Sequence, residues 1–154
     1  MVPGFHVINA LSPVADAFAT EKDTDIVDAG VGDGVLFIIH TGVASAAATS
    51  TLTVEASSTI GAAATAVVPF VYRECLATDV WGDWTAATTT GYLATMTASN
   101  GMWMVYVDSA EIAEEGYRYV RLSTDEGSGG AVVGGVLAII INPRYSVANE
   151  SALD

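Results

Sequence analysis

The sequence predicts an all-β protein: a β-sandwich or jelly roll of about eight short strands, with one short helix and an extended N-terminal arm. Three observations carry this. Runs of β-branched and aromatic residues recur along the chain, among them Gly34–His40, Thr51–Glu55 and Val132–Ile141. Segments rich in Gly, Ser and Asn separate them. Nowhere do strand and helix periods alternate in the way that builds a parallel α/β sheet.

Residues 1–24 read as the arm: Phe5, Val7, Ile8 and Leu11 are apolar, and Pro3, Gly4 and Pro13 interrupt any long helix. Such an arm packs along its own domain or reaches onto a neighbour. Residues 25–145 form the sandwich domain. Its first strand, Gly34–His40, is apolar throughout, the pattern of a strand buried on both faces. Thr51–Glu55 alternates Thr/Glu with Leu/Val, the period of a half-buried strand. Ala44–Ser50 and Ser57–Ala64 are small-residue loops. Ala66–Arg73 is the next strand, with Pro69 at an edge or a bulge because it has no N–H to donate. Val80–Trp84 follows, then Tyr92–Met96. Asn100-Gly101 predicts a hairpin joining Tyr92–Met96 to Met102–Val107.

Asp108-Ser109-Ala110-Glu111 fits a capping box, with Gly116 just past the end of a short helix. Tyr117–Leu122 alternates again, and a glycine-rich turn leads into Val132–Ile141, which Asn142-Pro143 stops. Gly34–Ile39 and Gly135–Ile140 look alike, as two central strands drawn from one small apolar alphabet do. Residues 146–154 read as a polar C-terminal tail.

The composition narrows the function. Of 154 residues only 15% are charged, 51% are hydrophobic and 15 are glycine. An average domain carries about 25% charged residues. So little charge leaves apolar or hydroxylated surface uncovered, and burial against further copies removes it from water, so a homo-oligomer is expected. Eighteen acids against Lys22, Arg73, Arg118, Arg121 and Arg144 give a net charge of −13. No basic footprint for phosphates exists, so neither nucleic acid nor an anionic membrane is an expected partner. Cys75 stands alone, which excludes an intrachain disulfide. No signal peptide is read at the N-terminus, and Thr, Ser, Gly or Asn interrupts every uncharged stretch of membrane-spanning length.

A search for chemistry returns no catalytic residues, cofactor site or metal site. Gly30-Val31-Gly32-Asp33-Gly34 leads into a strand rather than a helix, so it is a turn and not a phosphate cradle. Asp23, Asp25, Asp28 and Asp33 lack calcium-loop register and read as a solvated acidic loop. His6 and His40 have no metal-ligand spacing. Cys75 has no nucleophile context, and Glu111, Glu114 and Glu115 form a solvated helix face. Trp81, Trp84 and Trp103 pack in the core or at a subunit interface, or else form a sugar-stacking platform. Phe5, Ile8, Leu11, Trp81, Trp84 and Trp103 are the candidate interface residues.

The stretches Val35–Val43, Thr51–Ala56 and Val68–Arg73 resemble a group of small tailed-bacteriophage virion proteins. Asp79–Gly82, Gly116–Arg121 and Asn142–Tyr145 continue the similarity. The resemblance implies a capsid decoration or cement protein that caps joints between capsomers of the major capsid protein, with no catalytic residues. A homotrimer is the expected form, and the strong acidity suits the outer surface of the capsid. A carbohydrate-binding β-sandwich module and a tail or fibre component are the alternatives.

Overall fold

The computed structural model describes residues 5–18, 21–44, 46–61, 65–76, 79–96, 100–144 and 152–153. They form an all-β sandwich of two antiparallel sheets with one short helix, as the strand pattern predicts. The strands are β1 (Phe5–Val14), β2 (Lys22–Asp23), β3 (Ile26–Asp28), β4 (Gly34–Ala44), β5 (Ala48–Ser57), β6 (Ala66–Val68), β7 (Phe70–Cys75), β8 (Thr85–Ala87), β9 (Tyr92–Met96), β10 (Met102–Asp108), β11 (Tyr119–Gly129), β12 (Val132–Ile141) and β13 (Ala152–Leu153). Helix α1 spans Ser109–Glu114. Sheet A has the order β1-β12-β4-β10-β7-β8; sheet B has β13-β3-β11-β5-β6, with β2 beside β11 and β9 beside β5.

The core lies where the inward residues of the two sheets meet. Val35, Phe37 and Ile39 of β4, Trp103, Val105 and Val107 of β10, and Val136, Ala138 and Ile140 of β12 come from sheet A. Leu52, Val54 and Ala56 of β5, with Val120 and Leu122 of β11, come from sheet B. Strict alternation places each of these side chains on the inner face. The similar runs of β4 and β12 are hydrogen-bonded neighbours near the middle of sheet A.

The helix follows its local signals. Asp108 caps it, Oδ1 accepting from the Ala110 N–H at 2.7 Å, and Gly116 ends it at φ +84°. Ile112 turns into the core and pins α1.

Besides the expected strand Val80–Trp84, which is irregular apart from an isolated bridge at Val80, four expectations are corrected or resolved. Tyr92–Met96 and Met102–Val107 do not form a hairpin: β9 pairs with β5 in sheet B, and β10 with β4 and β7 in sheet A. Asn100 does take the left-handed conformation (φ 70°), but the chain passes between sheets here, from β9 in one to β10 in the other, and residues 97–99 lie outside the described residues. Ala66–Arg73 is two strands, since Pro69 ends β6 in sheet B and the chain restarts as β7 in sheet A. The run Gly34–His40 buries Gly34, Val35, Phe37 and Ile39, while Leu36 and Ile38 point outward and are partly exposed.

The fourth concerns the arm, which packs along its own domain over residues 5–18. There β1 pairs with β12, and Ile8, Ala10, Ala17 and Phe18 fill the core. In the expected C-terminal tail, Ala152–Leu153 pairs with β3, while residues 146–151 and 154 lie outside the described residues. Tyr145 and residues 1–4 and 62–64 also lie outside them.

Candidate functional site

The two outer faces of the sandwich differ in chemistry. On sheet B the outward residues of β5 are Thr49, Thr51, Thr53 and Glu55. Opposite them on β11 stand Arg121, Ser123 and Asp125. Arg121 lies 2.6 Å from both Asp23 Oδ2 and Glu55 Oε2, so one guanidinium joins three strands. This face is mainly hydroxylated and charged, suited to water, although Leu93 of β9 also stands outward on it, 54% exposed.

The outer face of sheet A is apolar. Alternation and cross-strand register align its residues in rows. One row runs Val7, Ile139, Leu36, Tyr106, Val71; the next runs Asn9, Leu137, Ile38, Met104, Arg73. Val7 and Leu137 are 47% and 43% exposed. Arg73 and His40 are the only basic side chains pointing outward from β1, β12, β4, β10 and β7. The sole outward carboxylate on these strands, Asp108, sits at the end of β10 and caps α1. Tyr106 holds its phenolic proton above the ordinary range, chiefly through burial and then through the nearby charges of Asp108, Asp33 and Glu111.

At the β7 margin of this face the chain builds a clip. After β7 it loops back, and the Gly82 N–H donates to the Glu74 carbonyl at 2.9 Å. The Arg73 guanidinium lies 4.7 Å from the Trp81 ring centre and 4.7 Å from that of Trp84. Its N–H groups also donate to Met104 Sδ at 3.3 and 3.1 Å. Among the described residues Arg73 forms no ion pair with a carboxylate. Aromatic faces attract the cation and fix a side chain that would otherwise be mobile.

At the opposite margin, β12, β4 and β1 leave an open groove of about 370 Å³. Leu11, Pro13, Leu137 and Val133 wall it, Gly42 leaves part of it open by lacking a side chain, and Gly135 lets the backbone of β1 pass close, since a Cβ there would lie 2.8 Å from the Leu11 carbonyl oxygen. A second hollow, about 750 Å³, lies between α1 and the 29–31 turn, where Arg118, Arg144 and Glu114 meet. There Arg118 is bound bidentately to Asp28 at 2.9 and 2.6 Å. This pairing raises the guanidinium pKa further above its ordinary value.

The candidate interface residues divide. Ile8 and Trp103 are buried, Trp103 completely, and so belong to the chain's own core. Phe5, Leu11, Trp81 and Trp84 reach the surface, Trp84 being 46% exposed. With Trp103 inside and Trp81 and Trp84 stacked on Arg73, the three tryptophans do not form one platform. Sequence reasoning missed the clip. Its signal was present: Arg73 is the one cation between Lys22 and Arg118, and it shortly precedes Trp81-Gly82-Asp83-Trp84.

The acidic loop is used by the fold. Asp28 Oδ1 accepts from the Gly30 N–H as well as pairing with Arg118, Asp23 pairs with Arg121, and Asp33 Oδ2 accepts from Asn142. No group of three or more His, Cys, Asp or Glu side chains among the described residues is placed to hold a metal ion. His6 stands level with Ile140 and His40 level with Gly135, five residues apart along β12. Among the described residues no helix is long and apolar enough to cross a membrane. No family model matches the chain, and no curated protein is significantly similar to it.

Proposed function

We propose that this chain is a structural, non-enzymatic virion protein: a capsid decoration or cement protein that works as a homo-oligomer, expected to be a trimer. The observation that carries the reading is the asymmetry of the sandwich. Sheet B presents hydroxyls and ion pairs, while sheet A presents Val7, Leu36, Ile38, Leu137 and Ile139 with a single cation. A protein that acts by assembling buries the second kind of face and leaves the first in water. The net charge of −13 keeps free copies apart and soluble before assembly. It also suits the outside of a shell, away from packaged nucleic acid.

Co-sedimentation with empty shells, assembled from the major capsid protein of the same virus, tests this. Saturable binding at a fixed ratio to capsid subunits is the expected result. A protein that stays in the supernatant at every concentration overturns the assignment. The arm is not removed in this test, because deleting β1 would empty core positions held by Ile8 and Ala10.

A further inference from the structure

We propose that copies of this chain associate through the outer face of sheet A, the Trp81–Arg73–Trp84 clip of one copy entering the Gly42/Gly135 groove of the next. This rests on reading the chain as an assembling structural protein, and it names the contact.

The first support is shape. Each copy carries both a surface clip, with Trp84 46% exposed, and a hollow, toward opposite margins of one face. Arg73 stands in the same cross-strand row as Met104, Ile38 and Leu137, and Leu137 is a wall of the groove. A symmetry axis parallel to the strands leaves every residue at its own height along the strand. Copies related by such an axis therefore bring clip and groove together level with one another. The contact is closed by rotation, which is what separates a finite oligomer from an open fibre.

Charge is the second support. Two copies that each carry −13 repel one another wherever their carboxylates face. The strands of this face offer no outward carboxylate before Asp108, so it is a broad surface on which like-charged copies can meet.

The third is area. Five strands across and about seven residues along cover a flat footprint of about 24 by 24 Å, or about 570 Å². The clip loop and the relief of the side chains enlarge it toward the roughly 800 Å² per partner of a stable interface. Trp and Arg clustered beside aliphatic residues are also the side chains that dominate binding where interfaces are dissected.

Light scattering on the full chain across a concentration series reads the association. The expected mass is that of a closed oligomer, with Trp84→Ala and Leu137→Lys each weakening association by at least about 10-fold. Leu137→Lys lowers the net negative charge, so loss of association there cannot come from added repulsion. Leu93→Lys, on the exposed outer side of sheet B, should assemble as the parent does.

A cross-linking arm does not depend on affinity. Arg73 and Leu137 are three strand spacings apart, about 14 Å, too far for a disulfide within one chain. With Cys75 replaced by Ala, under oxidation the double variant Arg73→Cys with Leu137→Cys should give covalent oligomers, and neither single variant should. A monomer at all concentrations, clip variants that assemble like the parent, or equal cross-linking by the single variants each overturn the proposal. Self-association without shell binding would leave this contact standing and remove the capsid assignment; shell binding by a monomer would do the reverse.

Discussion

The Tyr92 hydroxyl donates to Glu74 Oε2 at 2.5 Å, a hydrogen bond that runs from β9 in sheet B to β7 in sheet A. The Tyr92 ring stacks on Tyr72 with 3.7 Å between centroids, so polar and aromatic contacts tie the two sheets at the same place. Burial first, and the Glu74 carboxylate second, hold the Tyr92 phenol well above its ordinary pKa of 10.0.

That bond makes the fold sensitive to alkali. Below pH 10 the tyrosine is protonated in both folded and unfolded chains and adds no pH dependence. Above pH 10 the unfolded chain releases the proton and the folded chain keeps it. The unfolded state then binds fewer protons, and stability falls as pH rises. Denaturant titrations from pH 8 upward should show this fall, and Tyr92→Phe should flatten it. At neutral pH the same variant should lose about 1.5–3 kcal/mol, the range for a hydrogen bond to a charged group.

Trp103 and Trp84 should separate stability from assembly. Trp103 is fully buried and packs against Phe18, their centroids 5.9 Å apart. Trp103→Ala should cost about 3–5 kcal/mol of unfolding free energy. Trp84→Ala removes one cation–π contact on a half-exposed side chain, a loss of about 0.5–1 kcal/mol. Thermal or urea unfolding of the two variants side by side checks the contrast.

Two glycines with similar backbone angles should respond differently to alanine. Gly91 (φ +79°) would place a Cβ 2.6 Å from the Leu52 carbonyl oxygen, whereas Gly116 (φ +84°) has open space. Gly116→Ala should cost only the left-handed penalty, about 1–2 kcal/mol. Gly91→Ala adds a backbone collision and should destabilise more, as the difference in urea midpoints will show.

Asp28 serves two structures at once, the 29–31 turn through Gly30 and the strand edge through Arg118. Arg118 is 57% exposed and Asp28 13%, so solvent weakens the ion pair and the cap carries much of the effect. Asp28→Ala should lose about 1–2 kcal/mol. Asp28→Asn, which keeps the oxygen that accepts from Gly30, should lose less, and chemical denaturation of both variants tests the order.

Local patterns made the elements legible. Thr51–Glu55 reads as half-buried and is so, because period-two alternation is a property of the strand itself. Asp108 and Gly116 bound a helix because capping involves only residues a few positions apart. What failed was partnership. Asn100 takes the left-handed conformation its turn signal calls for, yet the strands on either side lie in different sheets, since a turn signal does not say which edge the next strand will find. The apolar run of β4 does not tell whether both its faces are covered, because cover comes from distant parts of the chain.

The sequence by itself determined the class of fold, the caps and turns, the acidity and the shortage of charge. Each depends on composition or on neighbours along the chain. Only the tertiary structure decided that Trp103 lies inside, that Trp81 and Trp84 close on Arg73, and that Leu137 shares a row with Arg73. Those relations join residues far apart in the chain, and cross-strand register, set by the packing of two whole sheets, brings them together.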